Sequence, residues 1–411
     1  MNILYIDHYA GSLSMGMEFR PFNLAREWQK LGHKVRIIGA DFSHLRKANP
    51  IVKNNFEIQK IDGIEFQWIK TRKYHGNGIS RAITMFQFCS KLWVHAGRLV
   101  QEFKPDVVIA SSTYPLDTYP AQRIKKIAKN CKLIHEIHDM WPITPIELYG
   151  MAPTHPFVVA MQISENSFCK HADKVVSVLP KASDYLQEHG MMANKFSYIP
   201  NGIELSDWNN PAPLPKVYID VIEKAHNEGR LIFCFFGSHT RSYCLDYFIE
   251  AALKNDQKKL FLLFVGEGNY KESLIYKASS LLEPSSFAFF PAIHKSAIPS
   301  LLKRIDISYV GAMKNRMFRF GIGMNKLFDS MMGAKPLLYA VEAPNDFAKL
   351  YHCGISVEAE NIDALAMGMK IFLDMSDSER ATLGENGKNA VLENFTYPNL
   401  AKQFLVVMHS K

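Results

Sequence analysis

Residues 320–338 read FGIGMNKLFDSMMGAKPLL, and this stretch has the pattern of a short helix that leads into a strand. Apolar residues recur from Met324 to Met332 at the spacing of one helical face, so that face is expected to lie in a core. Gly333 and Pro336 are typical of a helix end, and an apolar run follows them. Helices that alternate with apolar strands are typical of a parallel α/β sheet.

The same alternation extends over the rest of the chain. Short apolar runs are separated by helix-period segments, which indicates parallel strands covered on both faces. Strands are predicted at 2–6, 34–38, 106–110, 132–137, 174–178, 231–236, 260–265, 287–290, 306–310 and 336–340, and helices at 18–31, 79–103 and 117–128. Since 411 residues exceed one ordinary core, the predicted fold class is α/β with two Rossmann-like doubly wound domains.

The domain boundary is predicted from the proline-rich polar segment NNPAPLPKVY at 209–218. We expect an N-terminal domain over 1–208, a linker over 209–230 and a C-terminal domain over 231–395. Residues 396–411 are predicted to form a C-terminal helix that packs back on the N-terminal domain. Ligands are expected at the carboxyl ends of the strands, in a central cleft that the two domains face.

Composition narrows the possible partners. The net charge of +8 favours anionic partners such as nucleotides, phosphates or a membrane surface. The six cysteines have no metal-binding spacing, and the N-terminus has no signal-peptide pattern, so a cytoplasmic location is expected. No Gly-x-Gly-x-x-Gly follows a strand, which argues against a dinucleotide-dependent oxidoreductase. No basic stripe continues into a nucleic-acid-binding module, so no nucleic-acid partner is expected.

The polar face of the helix in the opening stretch can be interpreted in two ways. Gly321 and Gly323 precede the helix, and such an approach exposes backbone N–H groups and the positive dipole end, which suits a phosphate. Asn325 and Asp329 lie one turn apart and can address one ligand, with the carboxylate accepting hydrogen bonds from a ribose. The other reading is a surface helix with ordinary end signals, and these residues alone leave both open.

The stretch resembles the nucleotide-sugar site of the retaining GT-B glycosyltransferases of family 4. It is most similar to the bacterial surface-polysaccharide branch, which serves O-antigen and capsule synthesis. The match consists of Phe320, Gly321, Asn325, Lys326, Leu327, Phe328 and Asp329. The resemblance implies that Asp329 holds the ribose. The family's first acid falls on Gly321, and the branch's Ser-Pro pair is replaced by Gly323 and Met324, so the acid near the transferred sugar has no counterpart here.

Further segments resemble the family in the expected order, from about residue 2 to residue 405. Gly237, Ser238 and His239 would face the donor diphosphate, with Arg241 as its cation. Ile293 and neighbouring backbone would contact uracil. The donor-binding residues that the resemblance implies are Gly11, Ser12, Gly16, Gly237, Ser238, His239, Arg241, Gly266, Ile293, Gly321, Gly323, Asn325, Lys326 and Asp329.

The segment EIHDMWP at 136–142 carries the catalytic candidates. His138 stands where many members of the family have a histidine near the transferred sugar, and Asp139 would orient it or start the next turn. An ordinary hydrogen-bonding role for His138 stays open. The chain has no Asp-x-Asp, which argues against the metal-dependent glycosyltransferase architecture. No metal and no cofactor are expected. Because no carboxylate nucleophile is evident, we expect same-face attack in which the leaving phosphate takes the acceptor proton.

The resemblance implies a retaining, metal-independent hexosyltransferase. It would move an N-acetylated hexose or deoxyhexose from a UDP-sugar to a lipid-linked saccharide acceptor. The alternative is a non-catalytic glycosyltransferase-like partner that binds UDP or UDP-sugar in a polysaccharide assembly complex. Basic and aromatic residues alternate over 66–99, which fits either an interfacial helix on an anionic membrane, at the inner face of the cell membrane, or a buried helix with a basic outer face.

Overall fold

The structure is a computed structural model, and it describes residues 1–16, 19–76 and 78–410. The chain forms two compact units, the first made of Met1–Pro200 and Tyr397–Lys411 and the second of Asn201–Thr396. The predicted first helix began at Glu18 and the predicted C-terminal helix ended at Lys411, and both of these residues lie outside the described ones.

The first unit is built on a sheet of eight strands within the described residues. Its strands are β1 Asn2–Ile6, β2 Lys34–Ala40, β3 Glu57–Ile61, β4 Ile64–Ile69, β5 Val107–Ala110, β6 Lys132–Ile137, β7 Lys174–Ser177 and β8 Phe196–Tyr198. They lie in the order β3-β4-β2-β1-β5-β6-β7-β8, and the β3–β4 pair is antiparallel while the others are parallel. The strand order changes direction at β1, whose carboxyl end is therefore a place where a ligand is expected.

Helices connect these strands. They are α1 Phe19–Lys30, α2 Ile79–Phe103, α3 Thr118–Ala128, α4 Ile143–Tyr149, α5 Pro156–His171 and α6 Ala182–Glu188. The sheet is buried on both sides, as the fully buried residues of β1 show: Ile3, Leu4, Tyr5 and Ile6. This double burial explains why the parallel strands read as unbroken apolar runs in the sequence.

The second unit contains a parallel sheet. Its strands are β9 Leu231–Phe236, β10 Leu260–Val265, β11 Phe287–Phe290, β12 Ile307–Gly311, β13 Leu337–Ala340 and β14 Gly354–Ser356. They lie in the order β11-β10-β9-β12-β13-β14. Its helices are α7 Ser206–Asn209, α8 Lys216–Asn227, α9 Leu245–Leu253, α10 Lys271–Leu281, α11 Ile298–Leu302, α12 Asn325–Met332, α13 Phe347–Leu350, α14 Ile362–Asp374 and α15 Asp377–Asn394. The strand order changes direction at β9, next to β12.

The chain then returns to the first unit through α16 Tyr397–His409. The indole Nε1–H of Trp28 on α1 donates to the carbonyl of Ala401, 3.1 Å away. The ring of Phe404 packs edge-on against Trp28, with 5.3 Å between the ring centroids. Helix α16 therefore fills part of the core of the first unit.

The predicted fold class, two doubly wound α/β domains, is confirmed. Each of the ten predicted strands corresponds to a strand of the structure, and the predicted helix over 79–103 has the bounds of α2. Strands β3, β4, β8 and β14 were not predicted. The segment 209–230, expected to be a linker, contains α8, whose Tyr218 and Ile222 pack in the core of the second unit.

The interpretation of 66–99 as one helix is wrong. Residues Phe66–Ile69 belong to β4, and the helix begins only at Ile79. The ring of Trp68 is fully buried and covers Gly39, where an added Cβ would lie 2.8 Å from the ring. Trp68 is therefore a core residue and cannot anchor the protein in a membrane interface.

Two further features concern location. Among the described residues, no helix is long and apolar enough to cross a membrane. The cysteines are all buried and unpaired, at positions 89, 131, 169, 234, 244 and 353.

Candidate active site

The strand-end loops after β9 and β10 touch each other through glycines. A Cβ on Gly266 would lie 1.8 Å from the carbonyl oxygen of Gly237, and a Cβ on Gly268 would lie 2.2 Å from that of His239. The N–H of His239 donates to the carbonyl of Glu267 at 2.8 Å, which holds the loops together. Because any side chain at Gly266 or Gly268 would collide with backbone, only glycine permits this approach.

Lys326, the second residue of α12, points its ammonium group into this glycine contact. A Cβ on Gly237 would lie 2.9 Å from its Nζ. The Nζ stands 3.3 Å from the centroid of the Tyr243 ring and 4.1 Å from that of Phe235, so it lies in an aromatic cage. Within the described residues the Nζ is buried without a hydrogen-bond partner. Burial lowers its pKa to about 7.

His239 is fully buried beside the same glycines. Neither of its ring nitrogens has a hydrogen-bond partner among the described residues. Burial, with a smaller contribution from the nearby Lys271, lowers its pKa to about 4, so the imidazole is neutral. Buried polar groups are normally paired, and an unpaired one costs free energy. A polar ligand that pairs with His239 and Lys326 would therefore lower the free energy of the protein.

Asp329 lies one turn after Lys326 along α12. It is 9% exposed, and its carboxylate has no hydrogen-bond or ion-pair partner within the described part of the chain. Burial raises its pKa to about 6, and Lys295 opposes that rise. Asn325, one turn before it, is exposed. Above pH 6 the carboxylate is ionised and can accept hydrogen bonds from ligand hydroxyl groups.

The loop before α12 is held in a fixed path. Gly321 has φ 106°, a left-handed conformation that favours glycine. The side-chain amide of Asn345 accepts from the N–H of Ile322 at 2.9 Å and donates to its carbonyl at 2.8 Å. Asn201 donates to the carbonyl of Gly323 at 3.0 Å. These bonds fix the entry into α12, whose first N–H groups have no partner inside the helix.

A second cluster lies in the first unit, where His138 follows β6. Its Nε2 is 2.7 Å from the hydroxyl of Ser111 and 3.5 Å from the carboxylate of Glu136. Burial opposes the charged imidazole, but the hydrogen bond and charge of Glu136 outweigh it and raise the pKa of His138. About a fifth of the His138 side chain is exposed, so the ring can reach a ligand.

Glu136 is the centre of that cluster. It is fully buried and pairs with Arg20, whose Nη2 lies 2.9 Å from its Oε1. The hydroxyl groups of Tyr5 and Ser111 also donate to its carboxylate. Burial alone would raise the pKa of Glu136, but the charge of Arg20, the hydrogen bond and charge of His138 and the hydrogen bond of Tyr5 hold it well below the usual range. A carboxylate that stays ionised therefore fixes the position and protonation of His138.

Asp139 has a different environment. Its carboxylate accepts from the N–H of Met140 at 2.9 Å, the hydroxyl of Thr144 at 2.8 Å and the indole N–H of Trp141 at 3.2 Å. These bonds stabilise the turn that leads into α4. The contacts of Asp139 are therefore those of a residue that starts the next turn, and none of these three bonds is to His138.

Two family models match this chain. Residues 15–207 match the model described as Glycosyltransferase Family 4, and residues 220–390 match the model described as Glycosyl transferases group 1. A search of curated protein sequences finds no match.

Several solved structures share the fold over the whole chain. HepE of Anabaena, in complex with UDP and glucose, is 14% identical with a TM-score of 0.67 and covers 100% of this chain and 99% of its own. A glycosyltransferase from Rickettsia africae is 16% identical with a TM-score of 0.69, covering 99% and 97%. WaaG, a glycosyltransferase involved in lipopolysaccharide biosynthesis, is 14% identical with a TM-score of 0.64, covering 100% of both chains. The chain is a GT-B glycosyltransferase.

The second unit of the glycosyltransferase brings together part of the predicted donor set. Gly237, His239, Gly266 and Lys326 meet at the glycine contact. The other predicted residues of this unit are placed around it. Ser238 and Arg241 are exposed, Ile293 is half-buried, and Gly321, Gly323, Asn325 and Asp329 belong to α12 and the loop before it. The guanidinium of Arg241 stacks over the ring of Tyr270 at 5.5 Å.

Gly11, Ser12 and Gly16 lie in the loop after β1 of the glycosyltransferase, in the first unit. The carbonyl of Ser12 accepts from the N–H groups of Met15 and Gly16, and Gly16 has φ 80°. The structure therefore gives these residues a tight turn at the carboxyl end of β1.

Sequence reasoning missed several residues of both clusters. They are Phe235, Tyr243 and Gly268 in the second unit and Tyr5, Arg20, Ser111 and Glu136 in the first. Gly268 lies two residues after Gly266, which was predicted, and Glu136 lies two residues before His138. The ring cage and the ion pair have no local pattern, because their members come from distant segments.

Replacement of Gly268 by alanine tests the contact between the strand-end loops. The added Cβ would collide with the backbone of His239, so Gly268→Ala is expected to lower the free energy of unfolding by about 1–3 kcal/mol. The matched control is Gly97→Ala in α2, where the Cβ meets nothing within 4 Å and helix propensity should stabilise by about 0.5–1 kcal/mol. Urea unfolding measures both. A Gly268→Ala variant as stable as the unsubstituted protein would contradict the contact.

Proposed function

We propose that this glycosyltransferase moves a sugar from a UDP-sugar to a lipid-linked saccharide, with retention at the anomeric carbon, in cell-surface polysaccharide synthesis. The observation that carries the donor part is the pair of buried side chains Lys326 and His239, which have no hydrogen-bond partner among the described residues, at the strand-order change in the second unit. Lys326 and His239 suit a diphosphate, and Asp329, one turn along α12, suits the ribose hydroxyls. HepE, bound to UDP and glucose, has the same fold.

The chemistry would rest on the stabilisation of the leaving group. The acceptor hydroxyl oxygen attacks the anomeric carbon as the bond to the β-phosphate oxygen breaks, and the acceptor proton passes to that phosphate oxygen. Backbone N–H groups at the start of α12 and the Lys326 ammonium would stabilise the departing diphosphate without a metal. Among the described residues, no group of three or more His, Cys, Asp or Glu side chains could hold a metal ion.

Gly321 supports attack on the same face. A double displacement needs a carboxylate nucleophile near the sugar, and Gly321 offers no side chain at the position of the family's first acid. His138 is proposed to hydrogen-bond the transferred sugar, because Glu136 and Ser111 fix its ring and leave it partly exposed. Asn325 and the backbone near Ile293 are proposed to contact the nucleotide.

Nucleotide binding tests the donor assignment. A thermal-shift screen should show stabilisation by UDP above that by GDP, ADP and NAD. Asp329→Asn removes the ionised acceptor for the ribose and should weaken UDP binding roughly 10- to 100-fold, the range for a hydrogen bond to a charged group. Glu223→Gln, at an exposed position of α8, is the matched control. Unchanged UDP affinity in Asp329→Asn would remove Asp329 from the site.

Product stereochemistry tests the mechanism. The product formed from a UDP-α-sugar should carry an α linkage, which NMR identifies from the anomeric coupling constant. An inverted product would overturn the same-face mechanism.

The missing acid at Gly321 also favours a second candidate function, a non-catalytic partner that binds UDP or UDP-sugar in an assembly complex. UDP binding without transfer to any lipid-linked saccharide would support that candidate and contradict the enzyme.

The lipid-linked acceptor is supported by an apolar cavity in the first unit. It has a volume of about 760 Å³ and is lined mainly by apolar side chains of α2, α4 and α5, including Ile79, Ile83, Phe86, Trp141, Tyr149 and Phe157. Trp141 comes three residues after His138. We therefore propose that the lipid part of the acceptor binds in this cavity, and that exposed apolar residues of α2, such as Ile79 and Val94, contact the inner face of the cell membrane.

Flotation with vesicles tests the membrane contact. The protein should float with vesicles that contain anionic lipid, and Val94→Ser, at a residue 77% exposed on α2, should reduce the floated fraction. Tyr276→Ser on α10, at a residue 78% exposed, is the matched control and should float normally. An absence of flotation would favour the reading of α2 as a helix with a basic outer face and would overturn the membrane proposal.

A further inference from the structure

The ammonium group of Lys326 is the least compensated charge of the second unit's site. It lies between the rings of Tyr243 and Phe235, and within the described residues no carboxylate or carbonyl oxygen pairs with it. Aromatic faces attract a cation, but they do not replace the hydration that burial removes. The group is therefore balanced between its charged and neutral forms near neutral pH, as its pKa of about 7 indicates.

The charged groups of the neighbouring elements do not change this balance. After β9, His239 is neutral at pH 7. At the start of α10, Lys271 is paired with Glu267 at 2.9 Å. On the turn before α9, Arg241 is exposed and lies over Tyr270.

On α12 itself, the carboxylate of Asp329 makes no ion pair with Lys326 and is influenced instead by Lys295 and Asp207. Helices α13 and α15 meet α12 on its apolar face, through Phe328 and Met331. Burial is the cause of the lowered pKa of Lys326, and among the residues that the structure describes no anion offsets its charge.

A phosphate-bearing ligand has the chemistry that would satisfy these groups. The Nζ of Lys326 lies against Gly237, next to the contact where Gly266 approaches the ring of His239, so a cation and a neutral N–H donor converge from two elements. The N-terminus of α12 adds its dipole on the same side. Two adjacent phosphates can meet donors from both elements at once.

We propose that Lys326, together with His239, binds the diphosphate of the donor, and that the nucleotide binds together with a proton that goes to Lys326. This inference rests on the proposed function for the nucleotide and deepens it, since it assigns the diphosphate cation to Lys326 in place of Arg241. No covalent bond changes; the proton comes from solvent and stays on Nζ while the diphosphate is bound.

The pH dependence follows from this coupling. A nearby diphosphate favours the charged ammonium and raises its pKa, so binding takes up the proton that the neutral fraction lacks. Because burial lowers the pKa of Lys326 to about 7 in the free protein, the proton uptake on binding should grow as the pH rises through the neutral range. Affinity for UDP should therefore fall as pH rises above 7. It should also fall below pH 6, where Asp329 becomes protonated.

Calorimetric titration of the full chain tests the proposal. UDP is titrated at pH 7.5 in HEPES and in Tris, two buffers that differ in ionisation enthalpy, and the difference between the observed enthalpies gives the number of protons taken up. Uridine, which has no phosphate, is the second probe. The unsubstituted protein should take up a proton with UDP and none with uridine.

Lys326→Met keeps the apolar stem and removes the charge. It should weaken UDP binding roughly 10- to 100-fold, abolish the proton uptake and leave uridine affinity unchanged. Lys326→Arg is the second variant: it should keep UDP binding without proton uptake, because a guanidinium does not deprotonate in this range. Lys303→Met, at an exposed lysine next to α11, is the matched control and should behave like the unsubstituted protein.

The outcomes separate this inference from the proposed function. The assignment of the diphosphate cation to Lys326 is overturned if Lys326→Met leaves UDP binding intact, or if Arg241→Gln weakens UDP binding more than Lys326→Met does. In either case the proposal that the donor is a UDP-sugar still stands. Binding without proton uptake overturns the coupling. UDP binding with proton uptake but no sugar transfer supports this inference and contradicts the enzyme. No binding of UDP overturns both.

Discussion

The direct backbone contact between the loops after β9 and β10 is the constraint on which the donor site depends. Gly266 and Gly268 have no side chain, so the carbonyl groups of Gly237 and His239 can approach them. This approach buries the ring of His239, and the missing side chain of Gly237 leaves room for the ammonium group of Lys326. A bulkier residue at Gly266 or Gly268 would displace Gly237, the ring of His239 and the ammonium group of Lys326 together, because these groups are closely packed.

The buried charged groups of the clusters in the two units differ in whether they have partners. In the first, the carboxylate of Glu136 is surrounded by Arg20 and by hydroxyl donors, so its charge is satisfied and its position fixed. In the second, the ammonium group of Lys326 is buried without a hydrogen-bond partner among the described residues, and burial moves the pKa of Lys326 to about 7 and that of Asp329 to about 6. A paired buried charge fixes the position of its neighbours, whereas an unpaired one can be stabilised by a ligand that pairs with it.

The sequence predicts the fold better than the site. Parallel strands such as β10 are buried on both faces and read as apolar runs, and they were found. Strand β3, EIQKI, carries polar residues on its partly exposed surface, and β8 and β14 are three residues long, so periodicity does not reveal them. The position of Asp329 on α12 follows from local spacing. The cage around Lys326 does not, because Phe235 and Tyr243 lie more than 80 residues earlier and meet it only through the sheet.

The return of α16 to the first unit has a consequence for biosynthesis. Trp28 and the face of α1 are covered by residues that follow the whole second unit in the chain. During translation the N-terminal unit therefore leaves the ribosome with part of its core open, and the second unit is complete before the first can be closed. The unit that is synthesised first is therefore completed last, and the face of α1 around Trp28 stays uncovered until Phe404 has been translated.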